Sequence, residues 1–98
     1  MTKRSEIENA LHVLAPHIPE YEAGAIADHA MDSCGLRTAS APAAAWLSMV
    51  AFVRHALTEY DSLLEEGYDQ ESARHFVAAD IQAVLKEWGV VRPLTPQD

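Results

Sequence analysis

Six polar residues in the second half of the 98-residue chain could do chemistry, because histidine transfers protons near neutral pH and arginine binds anions. They form two Arg-His dipeptides with a Tyr-Asp dipeptide between them. The six are Arg54, His55, Tyr60, Asp61, Arg74 and His75. If they met in one cleft, a histidine would serve as acid or base and an arginine would hold an anion. The six residues are therefore the candidate polar site of a small enzyme or ligand-binding protein.

A second candidate site is acidic and lies around a predicted turn at Gly67. Between Glu59 and Glu71 the sequence contains six acidic residues and no lysine or arginine. Two of the acids would end a helix, where the helix dipole disfavours a negative charge by about 0.3 to 1 kcal/mol. Solvent screening would weaken this unfavourable interaction, but a surface that binds a basic partner or a cation would also explain the two acids. The candidate acidic surface consists of Glu65, Glu66, Asp69 and Glu71.

No sequence signature identifies a reaction, so no catalytic residue is assigned. The patterns H-E-x-x-H, G-x-S-x-G, the EF-hand loop and glycine-rich phosphate loops are all absent. His29 with Asp32, or His55 with Glu59, has a helical spacing that could supply two metal ligands, but this signal is weak. We therefore expect neither a metal site nor a cofactor. Cys34 lies on a predicted apolar helix stripe, where we expect a buried, inert thiol.

The charge and the composition restrict the class of partner. Fifteen acidic residues against seven lysines and arginines give a formal net charge of −8, which disfavours nucleic-acid binding. A helix-turn-helix DNA binder is thus the least favoured alternative. The single cysteine, the absence of a signal peptide and the absence of an apolar run of about 20 residues predict a cytoplasmic protein that does not enter a membrane.

The positions of the polar residues depend on a predicted all-α fold, a single helical domain over 1–98 with about four helices. Capping residues, prolines and apolar spacing indicate helices from about 5 to 15, from Pro19 to Gly35, and from Ser40 to Gly67. A fourth follows from Asp69 to Gly89. Residues 1–4 and 92–98 are predicted to be flexible tails.

The long third helix, of about 25 residues, and the fourth helix are predicted to form an antiparallel hairpin across Gly67. Equal heights on the two arms would pair Asp61 with Arg74, and Arg54 with Asp80 or Ile81. Such ion pairs would fix the register of the hairpin. Three aromatic side chains are predicted to lie in the core, and these are Trp46, Phe76 and Trp88.

The stretch from Ala44 to Trp88 resembles a bacterial family catalogued as domain of unknown function 2293. The similarity includes Ala45-Trp46-Leu47, the string H-x-x-T-x-Y-D-x-L-L-x-x-G that begins at His55, and Ala73-Arg74. The resemblance implies a shared small helical domain. It implies no activity and supplies no catalytic residue.

The sequence therefore favours a non-catalytic module that binds a protein, either a different protein or a second copy of itself, through the hairpin or a groove beside it. The alternative is an enzyme or ligand-binding protein that uses the candidate polar site. These hypotheses differ in whether the six polar side chains converge.

Overall fold

The structure is a computed structural model that describes residues 2–95 and 98, with only the backbone described at Arg37. The described residues form six α-helices and no strand, which confirms the all-α prediction and corrects the predicted number of about four helices. In chain order they are α1 (Lys3–Leu14), α2 (Glu20–Asp32), α3 (Cys34–Arg37), α4 (Ala41–Ala56), α5 (Tyr60–Glu65) and α6 (Gln70–Glu87). None of these helices combines the length and the hydropathy that a membrane crossing requires.

Helix α4 lies at the centre of the molecule and contacts the other five helices. Its N-terminus is capped by the Ser40 hydroxyl, which accepts a hydrogen bond from the Ala43 N–H at 3.3 Å. Small residues in the first turns and larger apolar residues further along bring the neighbouring helices close. Trp46, Met49 and Val53 on this helix are at most 2% exposed. A helix that is buried over so much of its surface must be contacted from several sides.

The predicted 25-residue third helix is wrong, because the chain leaves the helix between Ala56 and Tyr60. The Thr58 hydroxyl donates to the Arg54 carbonyl and accepts from the Tyr60 N–H at 3.3 Å. Threonine side chains compete in this way with helical backbone hydrogen bonds. Because the first arm is two helices instead of one, the predicted hairpin is not confirmed.

Helix α6 begins and ends where the sequence predicts. The Asp69 carboxylate caps it by accepting from the Ser72 N–H at 2.7 Å. The glycines at the two turns, Gly67 and Gly89, have φ values of 104° and 84°, which side-chain-bearing residues rarely adopt. One face of α6 is buried, but Phe76 is 59% exposed, so its predicted place in the core is wrong.

The region around Cys34 also differs from the prediction. Helix α2 ends at Asp32, and the Ser33 hydroxyl accepts from the Leu36 N–H at 3.4 Å to begin α3. This new helix start turns Cys34 off the apolar stripe of α2, and the thiol is exposed instead of buried. Gly35, the predicted end of the second helix, lies inside α3.

The chain after α6 packs back onto the helices. Trp88 and Val90 are buried, and Leu94 is partly buried against the core. The Leu94 N–H donates to the side-chain oxygen of Gln82 at 3.1 Å. These contacts hold Val90 and Leu94 against the helices.

The flexible tails predicted at 1–4 and 92–98 include Met1, Pro96 and Gln97, which lie outside the described residues.

Candidate functional site

A groove of about 1250 Å³ is bounded by the last turn of α4, the first half of α6 and the segment after α6. We call it the Arg54 groove. Two carboxylates at the start of α6, those of Asp69 and Glu71, line the groove. The other lining residues that bear on its chemistry are Arg54, Arg74, His75, Phe76, Ile81, Leu94, Thr95 and Asp98. The groove therefore combines two arginines and a histidine with three carboxylates and apolar surface.

Arg54 is the most buried charged residue in the groove, with 7% of its surface exposed. Its Nη2 donates to the backbone oxygen of Asp98 at 2.5 Å, and its guanidinium carbon lies 5.7 Å from the centroid of the Tyr60 ring. Burial and the positive charge of Arg74 lower the pKa of Arg54 below its usual value. An arginine nevertheless stays charged in proteins. The site thus contains a guanidinium that is largely removed from water.

The Asp98 carboxylate connects the segment after α6 to the core. It accepts from Trp46 Nε1 at 3.0 Å, from the Thr95 N–H at 2.9 Å and from the Thr95 hydroxyl at 3.0 Å. Burial alone would raise the pKa of Asp98, but these hydrogen bonds and the charge of Arg92 outweigh it, so the pKa is lowered. Arg92 itself lies 4.1 Å from the Trp46 ring centroid. The folded chain therefore holds Asp98 in its ionised form.

Arg74 and His75 are exposed at the side of the groove formed by α6. Among the described residues, no carboxylate lies within 4 Å of Arg74, so the predicted ion pair with Asp61 is wrong. Asp61 instead accepts from His55 Nδ1 at 2.7 Å. Residues six apart point in different directions on a continuous helix. The break between α4 and α5 brings this pair together.

The structure divides the six candidate polar residues into two groups. Arg54, Arg74 and His75 line the groove, whereas His55 and Asp61 form an exposed pair that does not. Tyr60 is buried at 3% exposure, between the Arg54 guanidinium and the edge of the His55 ring. The predicted ion pair of Arg54 with Asp80 is also wrong, because Arg54 contacts Asp98.

Sequence reasoning missed the contribution of the segment after α6. The sequence predicts Trp46 in the core only, and no pattern in it singles out Gln82, Arg92 or Asp98. The weak signal was an apolar pair, Val90 and Leu94, in a stretch with no helical spacing.

The four residues of the candidate acidic surface are exposed around the turn between α5 and α6. Hydrogen bonds from the backbone N–H and the hydroxyl of Ser72 lower the pKa of Asp69. Within the described part of the chain, no group of three or more histidine, cysteine, aspartate or glutamate side chains could hold a metal ion.

The helices that form the groove lie within a stretch of the chain that matches a known protein family. The sequence model of the family described as "Uncharacterized conserved protein (DUF2293)" matches residues 10–89, which is most of the chain. The chain belongs to this family. The matched range of this DUF2293 protein contains Arg54, Arg74 and His75, and Arg92 and Asp98 lie beyond it. No curated protein and no solved structure matches the chain.

Proposed function

We propose that this DUF2293 protein is a non-catalytic helical module that binds a partner protein in the Arg54 groove. One observation carries the proposal: a segment of the chain itself forms one side of the groove and is held against the helices through groups that other protein segments also possess. In the groove the backbone oxygen of Asp98 accepts from Arg54, and beside the groove the backbone N–H of Leu94 donates to the side-chain oxygen of Gln82. A groove that captures backbone groups and an aliphatic side chain is suited to a polypeptide.

The side chains beside the groove support the same function. Phe76 is 59% exposed and packs edge to face with Tyr68, itself 43% exposed, at 5.3 Å between ring centroids. Arg74 lies two residues before Phe76 and is also exposed. Aromatic residues and arginine are enriched in protein interfaces and provide much of their binding energy. An exposed aromatic pair beside an arginine is therefore a suitable contact for a partner.

The enzymatic alternative receives less support from the geometry. Of the two histidines in the candidate polar site, only His75 lines the groove with the arginines. Tyr60 is buried, with its ring centroid 5.7 Å from the guanidinium carbon of Arg54. The formal net charge of −8 argues against a nucleic-acid partner. We place the module in the cytoplasm because its single cysteine leaves no internal disulfide to form.

Site-specific photo-crosslinking in the native cells tests the proposal. A benzoyl-phenylalanine in place of Phe76 reports on the groove, and one in place of Tyr21, which is 79% exposed on α2, is the matched control. We expect a discrete protein adduct from position 76 only. The adduct should disappear when Arg74→Glu is added, while circular dichroism shows the same helix content.

Three results would overturn the proposal. They are the absence of an adduct at position 76, an adduct that persists with Arg74→Glu, and the same adduct from position 21.

A further inference from the structure

We infer that the solvent-facing side of α6 binds a second copy of the chain, in an antiparallel contact of two α6 helices about a two-fold axis. The inference goes beyond the proposed function, because Arg54 and Arg74 are not part of this side of the helix. We call it the Phe76 face. It consists of six positions, the N-cap residue of α6 and five residues along the helix, which are Asp69, Ser72, Phe76, Ala79, Ala83 and Lys86.

The centre of the Phe76 face is apolar although it lies away from the core. Helix α6 already buries one stripe, formed by Ala73, Val77, Ile81 and Leu85. The opposite side of such a helix normally carries charged and polar residues. Here Phe76 is 59% exposed, and Ala79 and Ala83 are exposed as well. Helix α6 therefore has a second apolar stripe that its packing on α4 and α5 does not cover.

The spacing of the Phe76 face is that of a helix-pairing seam. From Asp69 to Lys86 its positions follow one another in alternating steps of three and four residues. This alternation keeps side chains on one side of a helix and is typical of two helices that pack along each other. An 18-residue helix presents the whole seam to a second helix. The seam therefore fits a helix better than it fits an extended segment.

The Phe76 face is self-complementary in size. Its six positions form three symmetric pairs about the midpoint of the seam, between positions 77 and 78. A two-fold axis at this midpoint places each residue opposite the other member of its pair in the second copy. Phe76 then faces Ala79 of the second copy, and Ser72 faces Ala83. A large side chain against a small one lets the two layers interdigitate.

The Phe76 face is also self-complementary in charge. The outermost symmetric pair is Asp69 and Lys86, and among the described residues neither lies within 4 Å of an opposite charge. In the antiparallel dimer each Asp69 faces Lys86 of the second copy, so that two ion pairs form. A parallel arrangement would instead bring like charges together at both ends. The charges therefore favour a second copy in the antiparallel orientation.

The net charge of the chain limits the strength of this contact. Each copy carries a formal net charge of −8, which repels a second copy at long range. The two Asp80 side chains flank the face and add to the repulsion. At physiological ionic strength, charges further apart than about 8 Å are largely screened, whereas the two ion pairs are in contact. We therefore expect a dimer that depends on protein concentration.

Sedimentation equilibrium of the full chain at physiological ionic strength tests the inference. Ala79→Glu places an unpaired charge against Phe76 of the second copy, and it should weaken dimerisation by about tenfold or more. Asn9→Glu is the matched control, because it adds the same charge at an exposed position of α1. We expect its dissociation constant to equal that of the unmodified chain.

An exchange of charges tests the antiparallel register. Lys86→Asp and Asp69→Lys should each weaken self-association, because like charges then meet at both ends. An equimolar mixture of the two variants should form a heterodimer in which both ion pairs are restored. Since Asp69 caps α6, circular dichroism must show that Asp69→Lys keeps its helix content. If it does not, a mixture of Ala79→Glu with Phe76→Lys tests the same register without changing the cap.

Three results would overturn the inference. They are a chain that stays monomeric up to roughly 1 mM, equal effects of Ala79→Glu and Asn9→Glu, and a mixture that associates no better than its components. None of them bears on the Arg54 groove, so the crosslinking experiment decides the proposed function separately. A crosslink between two copies at position 76 would have twice the mass of the chain and does not count as the adduct of a partner.

Discussion

Three properties distinguish Arg54 among the residues that line the groove. It is 7% exposed, its Nε has no partner among the described residues, and burial together with the charge of Arg74 lowers its pKa. A structural arginine in a small domain would normally have its donors satisfied. We therefore interpret Arg54 as a binding residue that its own chain satisfies only in part.

At the residue scale the sequence predicted some of the site. Arg54, Arg74 and His75 could be selected because arginine and histidine have few structural roles in the interior of a small helical domain. Asp98 could not be selected, because it lies 52 positions after Trp46 in the sequence and no periodic pattern predicts that it contacts α4. The pairing of Asp61 was missed because it depends on the break at Thr58.

The ionisation of Asp98 provides a prediction at this scale. Its pKa is lowered in the folded chain, so its interactions stabilise the fold above the ordinary aspartate value near 3.8 and are lost as the pH falls through the lower, folded value. We expect the indole resonance of Trp46 to titrate with a midpoint below 3.8. That of Trp88 should not follow the same curve.

In the Asp98→Asn variant the Trp46 transition should be absent. A midpoint at or above the ordinary value, or a transition that survives this substitution, would show that Asp98 is not held by Trp46 in solution.

At the scale of elements, local signals predicted the helix ends that depend on one residue. Ser40 and Asp69 cap α4 and α6, and Gly67 and Gly89 adopt positive φ. The break after α4 was missed because no glycine or proline marks it. The Thr58 hydroxyl forms hydrogen bonds with backbone groups on both sides of the break. A threonine is nevertheless a weak sequence signal for a helix end, and the apolar spacing that continues past it predicts a helix.

The glycines allow a prediction with an internal control. Gly89 has a φ of 84°, and a Cβ atom there would lie 3.1 Å from Pro16 Cδ and 3.3 Å from His17 Nδ1. Gly24 lies inside α2 with no atom within 4 Å of such a Cβ. We expect Gly89→Ala to lower the free energy of unfolding by at least about 1–2 kcal/mol, the cost of a left-handed backbone.

Gly24→Ala should raise the same free energy by up to about 1 kcal/mol, because alanine favours the helix. Urea denaturation followed by circular dichroism measures both. An unchanged midpoint for Gly89→Ala would mean that neither the left-handed turn at Gly89 nor its contact with the loop after α1 is formed in solution.

At the scale of the whole molecule, the acidic net charge and the two arginines of the Arg54 groove have opposite effects on a charged partner. The formal net charge of −8 repels an acidic partner at a distance, and the two arginines attract its carboxylate at short range. The two candidate surfaces therefore differ in the substitutions that would weaken partner binding. Binding to the acidic surface around Gly67 would depend on Glu65 and Glu66, whereas binding in the Arg54 groove would depend on Arg74.

The most direct test of the central claim is the affinity of the crosslinked partner for three purified proteins. These are the unmodified chain, Arg74→Glu, and the double variant Glu65→Lys with Glu66→Lys, each compared by calorimetry at the same salt concentration. We predict that Arg74→Glu weakens binding at least tenfold, because it reverses the charge of an exposed residue that lines the groove. The double lysine variant should bind as well as the unmodified chain, because Glu65 and Glu66 do not line the groove. The opposite result, in which Arg74→Glu binds normally and the lysine variant does not bind, would contradict the account and assign the partner to the acidic surface.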